Sequence, residues 1–226
     1  MSFSRSNLVC LLDVDNTLLD NDRVTVDLRR FLEVEVGVQR MHRYWEIFED
    51  LRNELGYADY LGALQRYRME DPRDPHVLHL SSYLIDYPFA NRLYPESLDV
   101  IDYLKLSGPV VILSDGDVVF QPRKVQRSGI WQAVDSHVLI YIHKEEALDD
   151  VERRYPAQHY VLVDDKPRIL AAVKEAWGDR VTTIFPRQGQ YARDANAYRP
   201  ADLTVERIGD LLTHDLPELL LPEVTR

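Results

Sequence analysis

Five short apolar runs punctuate this 226-residue chain, and they constrain its fold more than any other feature. They are Leu8 to Leu12 (LVCLL), Val110 to Leu113 (VVIL), Val138 to Ile142 (VLIYI), Tyr160 to Val163 (YVLV) and Val181 to Phe185 (VTTIF). Each has four or five mostly branched or aromatic residues and no polar alternation, the pattern of strands buried on both faces of a parallel sheet. Parallel strands need crossovers, and helical periods stand between the runs. Pro95 to Ser107 places a proline in a first turn and Leu98, Ile101 and Leu104 at helical spacing. Pro167 to Trp177 repeats the design, with Gly178 as its stop. This alternation predicts an α/β chain with a doubly wound, Rossmann-like, mostly parallel five-stranded sheet.

One interval does not alternate. Met41, Tyr44, Trp45, Phe48, Leu51 and Leu55 trace a helical stripe, Leu61, Leu64 and Tyr67 a second, and Val77, Leu80 and Leu84 a third. The turn-rich Asp71 to Pro75 (DPRDP) separates the last two. Roughly seventy residues of helix exceed an ordinary crossover. Residues 20–92 are therefore read as an inserted all-helical cap, and residues 1–19 and 93–226 as the α/β core. The tail after Leu216 (PELLLPEVTR) is expected to pack or fray.

Charge and composition narrow the function. Lys and Arg number 27 against 38 Asp and Glu, a net charge of −11, which argues against a nucleic-acid partner. An acidic chain that handles an anionic small molecule needs local cations, metal or Lys/Arg, at its site. The one cysteine, Cys10, lies inside LVCLL and reads as a buried small hydrophobe; no intrachain disulfide can form. No stretch reaches the ~18 to 20 apolar residues that span a bilayer, and the apolar run behind MSFSRSN is too short for a signal peptide. A cytoplasmic protein without membrane contact is expected.

Ligands of open α/β sheets bind beyond the carboxyl ends of the strands. Polar groups follow four of the runs there: Asp13 to Thr17 after the first, Ser114, Asp115 and Gly116 after the second, Lys144 just past the third, and Asp164, Asp165 and Lys166 after the fourth. Carboxylates ~4 Å apart repel by about 4 kcal/mol per pair at an effective dielectric of ~20. A divalent cation removes that penalty, and an oxygen-only donor set without thiolate or imidazole favours Mg²⁺. Ser114 and Lys144 suit phosphate oxygens. The Val14 carbonyl is expected on the metal side, and Asp13 and Asp15 share a face if the segment stays extended.

With these residues in view, the chain resembles the haloacid dehalogenase-like (HAD) hydrolase superfamily. DVDNT (13–17) is similar to its first motif, Asp-x-Asp-x-Thr; Ser114 in LSDGD, Lys144 and VDDKP (163–167) are similar to the second, third and fourth, in family order. The resemblance implies covalent phosphoryl transfer to a water. Asp13 would be the nucleophile and form an aspartyl-phosphate, and Asp15 the acid and then the base. Mg²⁺ would be held by Asp13, the Val14 carbonyl in the loop that carries Asp15, and Asp165, with Asp164 on a metal water or orienting Lys144. Ser114, Asp115, Gly116 and Lys144 would surround the phosphate of a small phosphorylated metabolite. Dehalogenating members lack the second aspartate, so Asp15 favours phosphatase or phosphotransferase chemistry. The helical insert resembles a cap that closes over the site.

Other readings stand beside these. Asp13 and Asp15 could form an Asx turn, Ser114 could cap a helix, and Lys144 could be a surface lysine. Lys124 competes for the lysine role but sits close to Ser114 in sequence. Asp115 and Asp117 read as turn and cap residues as well, and Asp20 as a turn or hinge residue outside the chemistry. Arg40, Arg43, Arg52, Arg66 and Arg68 could hold a second anionic group of the substrate, although a solvated helical face is the commoner cause of such a run. Arg187 and Gln188 in PRQGQYARD are weak candidates. A phosphotransferase, or a regulatory protein that holds a phosphate without turnover, would use the same scaffold.

Overall fold

A computed structural model describes residues 8–193 and 197–214; the tail after Leu216 lies outside the described residues. Strand β1 (Leu8–Leu12) is followed by four helices, α1 (Asn21–Val36), α2 (Val38–Leu55), α3 (Tyr60–Glu70) and α4 (His76–Asp86). The chain then alternates through α5 (Ser97–Lys105), β2 (Val110–Asp115), α6 (Phe120–Arg127), α7 (Ile130–Ala133), β3 (Val138–Tyr141), α8 (Leu148–Arg154), β4 (His159–Val163), α9 (Pro167–Trp177), β5 (Val181–Pro186) and β6 (Leu203–Val205). All pairings are parallel, in the order β3-β2-β1-β4-β5-β6. The sheet thus has six strands where five were expected. The extra one, LTV, is a three-residue edge strand too short to show a period.

Burial explains the unalternating runs. Every residue of β1 is buried, because one sheet face shares an apolar cluster with α5 to α7 and the other with α8 and α9. Cys10 is fully enclosed, and burial pushes its thiol up to about 12, leaving it inert at neutral pH. Helix α9 follows its expected span, with Pro167 in the first turn and Gly178 at φ 56° closing it on the Lys174 carbonyl. Helix α5 starts two residues later than its proline suggests, after Glu96 at φ 67°. That offset turns Leu98 outward, and Ser97, Val100, Ile101 and Leu104 form the buried face.

The insert leaves and rejoins the core at one place. Leu19 bridges Leu93 in antiparallel fashion, the Asp20 N–H donates to the Arg92 carbonyl (2.7 Å), and the Tyr94 N–H to the Leu18 carbonyl (2.9 Å). Asp20 caps α1 by accepting from the Arg23 N–H at 2.8 Å. Beside it Asp27 accepts from Tyr87 Oη (2.5 Å) and from Arg92 Nη2 (2.6 Å), tying α1 to the returning segment. The apolar stripe of α2 packs inward with Tyr60, Ala63, Leu64 and Tyr67 of α3. Aromatic contacts carry this packing to the core: the Tyr60 ring lies 5.1 Å from Phe120 of α6, and Phe89 lies 5.7 Å from Phe120.

Candidate active site

The carboxyl ends of β1, β2 and β4 converge, and the chain folds sharply after β1 to make room. The Val14 carbonyl accepts from the N–H groups of Thr17 (3.3 Å), Leu18 (2.9 Å) and Leu19 (2.9 Å). It is therefore spent on the turn and is no metal donor, contrary to the expectation from an extended segment. No described hydrogen bond goes to the Asp15 carbonyl. Asn16 takes φ 56°, and its Oδ1 accepts from the N–H groups of Asn21 (3.0 Å) and Asp22 (3.1 Å), capping α1. Gln188 braces the same turn: its amide donates to the Thr17 carbonyl at 3.1 Å and accepts from the Ile208 N–H at 2.6 Å. Arg187 pairs with Glu206 at the surface.

Asp13 is 1% exposed and Lys144, Asp164 and Asp165 are fully buried. Lys144 Nζ lies 2.5 Å from Asp13 Oδ1 and 2.6 Å from Asp164 Oδ2, so one ammonium offsets two carboxylates. The approach to Asp164 lacks hydrogen-bond alignment, so that contact is a charge pair. Burial lowers the Lys144 pKa, yet Asp13, Asp164 and Asp115 outweigh it and hold the lysine well above its ordinary value. Asp13 is pushed up to about 6 by burial, against the pull of Lys144. Asp164 Oδ1 accepts from the Lys166 N–H at 2.8 Å.

Asp165 is the outlier. Its N–H donates to Thr17 Oγ1 (3.0 Å), but neither carboxylate oxygen has a hydrogen-bond partner among the described residues. Burial, then the charges of Asp13 and Asp164, hold its carboxyl well above the usual range. A buried carboxylate left unpaired is costly. Ligand oxygens of Asp13, Asp164 and Asp165 lie within 4.8 Å of one another, so the three form a hard, all-oxygen set that fits a Mg²⁺ ion.

The second strand end supplies an adjoining layer. Asp115 accepts from the Lys144 N–H (2.9 Å) and pairs with Lys166 at 3.2 Å. The Gly116 N–H is used up on the Tyr141 carbonyl (2.9 Å). Asp117 caps α6 through the N–H groups of Val119 and Phe120. Ser114 Oγ accepts from Gln121 Nε2 at 2.9 Å and reaches the Asp115 carbonyl only at 3.4 Å.

Sequence alone weighs Lys124 only as a rival of Lys144 and passes over Gln121; the fold gives both to Asp15. Lys124, 1% exposed, lies 2.6 Å from Asp15 Oδ1 and 3.0 Å from Asn21 Oδ1; Gln121 Nε2 stands 3.4 Å from Asp15 Oδ2. Their spacing, i and i+3 on one helix after the Ser114 strand, was the available signal. A cavity of about 500 Å³ opens over the site, lined below by Asp15, Asp115, Gly116, Asp165 and Lys166 and above by α1, α2 and the Gly56–Tyr60 loop. No described helix is long and apolar enough to cross a membrane.

Comparison with known proteins agrees with this geometry. No family model and no curated sequence matches the chain. A solved structure described as a haloacid dehalogenase-like hydrolase from Burkholderia xenovorans LB400 is 62% identical, over 96% of this chain and 99% of that one, with a TM-score of 0.89. The chain belongs to the haloacid dehalogenase-like hydrolases. The HAD-hydrolase YfnB from Bacillus subtilis, solved bound to magnesium, is 14% identical over 92% of this chain and 97% of its own, TM-score 0.61. The L-2-haloacid dehalogenase from Xanthobacter autotrophicus is 16% identical over 90% and 96%, TM-score 0.60. At those identities the last two speak for the shared fold alone.

Proposed function

We propose that this hydrolase is a Mg²⁺-dependent phosphatase of a small phosphorylated metabolite, working through an aspartyl-phosphate. The observation that carries the reading is Asp15. It is a second carboxylate two residues beyond the buried Asp13, it opens on the cavity, and Lys124 and Gln121, which line the same cavity, hold it. Departure of an alkoxide needs a proton, whereas departure of a halide does not.

In this mechanism Lys144 keeps Asp13 ionised and aimed, and an Asp13 oxygen attacks phosphorus. Asp15 protonates the leaving oxygen, then takes a proton from the water that hydrolyses the acyl phosphate. Ser114 Oγ, whose own proton is only loosely held, turns to a phosphoryl oxygen. Asp13, Asp165 and the uncommitted Asp15 carbonyl would hold Mg²⁺, with Asp164 steadying Lys144; when bound, the ion neutralises charge between nucleophile and phosphate.

The test is phosphate release from p-nitrophenyl phosphate with Mg²⁺, with EDTA and with Asp13→Asn, beside chloride release from L-2-chloropropionate. Phosphate release that requires both Mg²⁺ and Asp13, without chloride, is the expected result. Equal rates in all three phosphate assays, or chloride release alone, would overturn the proposal.

A further inference from the structure

Of the five cap arginines singled out in the sequence, the fold separates one. Arg40 pairs with Asp71 and Asp74, Arg43 with Glu46 and Glu70, and Arg66 with Glu54, and none of the three lines the cavity over Asp15. Arg68 does not line it either. Arg52 does, and its nearest described carboxylate, Glu49, stands 3.8 Å away, beyond hydrogen-bond reach. Its Nη2 donates to Tyr191 Oη at 3.2 Å, which fixes the guanidinium at the cavity wall, where its only carboxylate neighbour among the described residues is the loosely paired, exposed Glu49. Arg29 of α1 joins it there, with no carboxylate partner among the described residues and its guanidinium carbon 4.2 Å from the Trp45 ring centroid. Trp45 also lines the wall, and its buried indole N–H has no described acceptor.

The cavity therefore has two unlike ends. At the core end every lysine is engaged: Lys144 by Asp13 and Asp164, Lys124 by Asp15, Lys166 by Asp115. At the cap end two guanidiniums retain uncommitted donors, in a protein whose net charge of −11 repels anions elsewhere. A planar fork of N–H donors fits a carboxylate or phosphate in bidentate fashion. We infer that the substrate carries a second anionic group, carboxylate or phosphate, which Arg52 and Arg29 grip across the cavity from the scissile phosphate. The inference rests on the phosphatase reading for the end at which the first phosphate lies.

Matched probes test it: 3-phosphoglycerate against glycerol 3-phosphate for a carboxylate, and fructose 1,6-bisphosphate against fructose 6-phosphate for a second phosphate. Binding is measured with Mg²⁺ by calorimetry in Asp13→Asn, and turnover in the wild type. The doubly anionic member of at least one pair binds tighter by roughly tenfold or more, the worth of one charged hydrogen bond. Arg52→Met or Arg29→Met in the same background brings that ratio towards one, and Arg52→Lys keeps part of it. Both members are measured on one protein, so a partly unfolded variant leaves the ratio readable. A wild-type ratio near one in both pairs overturns the inference, as does a ratio that both Met variants leave intact. Turnover separates the two readings: absent phosphate release sinks the phosphatase, while calorimetry still decides whether the arginines select a second anion.

Discussion

Replacing Asp165 by asparagine is expected to stabilise the metal-free protein and abolish its response to Mg²⁺. Asp13, Asp164 and Asp165 offer oxygens within 4.8 Å of one another. At that separation each like-charge pair costs about 3.5 kcal/mol at an effective dielectric of 20. Lys144 sits against Asp13 and Asp164, so the repulsion felt by Asp165 is the least compensated. An isosteric amide removes it and can donate to a neighbouring carboxylate. Relief of about 1 to 2 kcal/mol, after partial protonation and relaxation, would raise Tm by roughly 2 to 8 °C for a chain of this size. The sign with pH follows from the raised carboxyl: the folded wild type binds more protons than the unfolded chain. The penalty is absent below the unfolded value near 4, and it grows as pH rises through the folded value. The advantage of Asp165→Asn should therefore widen from pH 5 to pH 8 in EDTA. With Mg²⁺ at about a hundred times Kd the wild type gains about 2.7 kcal/mol, or roughly 5 to 10 °C, and the variant nothing comparable. Scanning calorimetry with EDTA and with Mg²⁺ reads both effects. A metal-free variant less stable than wild type, or an equal Mg²⁺ shift in the two proteins, would refute the reasoning.

Three further outcomes follow from the geometry. Lys144→Met leaves Asp13 and Asp164 buried without their cation; a loss of about 3 to 5 kcal/mol in EDTA is expected from urea midpoints, together with loss of turnover. Gly189 sits at φ 66°, where an added Cβ would lie 2.5 Å from Asn16 Cβ; Gly189→Ala should cost about 1 to 3 kcal/mol and loosen the turn after β1, and an unchanged melt would refute this. Asp27 is held below the usual carboxylate range: burial raises it, but Tyr87 and Arg92 outweigh that. Asp27→Asn should cost about 1 to 2 kcal/mol at pH 7, and the gap to wild type should narrow as pH falls from about 4, where the unfolded carboxylate takes up a proton, through the lowered folded value.

What the chain disclosed in advance was whatever depends on neighbours in sequence. LVCLL and PRILAAVKEAW carry their own strand and helix periods, so β1 and α9 could be read directly. The residues that meet across the sheet edge, Asp13, Lys144 and Asp164, were also visible, because each follows a strand and the strands are parallel. Three things were hidden. The LTV edge strand is too brief to carry a pattern. The Val14 carbonyl is claimed by three N–H groups of a turn that side-chain periodicity does not encode. Gln121, and the pairing of Lys124 with Asp15 rather than with a phosphate, depend on the placement of the polar helix FQPRKVQR against the first loop, which turns both side chains inward.

The position of β1 in the middle of the sheet sets a timetable for synthesis. Its five residues pair with Cys10 opposite Val110 on one side and with Leu8 opposite His159 on the other. At about 5 to 20 residues per second, a ribosome delivers the first partner on the order of five to twenty seconds after LVCLL, and the second on the order of ten to thirty. During that interval a five-residue apolar strand has no place in any sheet, while the helices that follow it are complete and contact-ready. The first native cover for one face of the nascent strand is α5, whose Val100, Ile101 and Leu104 share an apolar cluster with Leu8, Cys10 and Leu12. LVCLL therefore stays open to aggregation until about ninety further residues have been made.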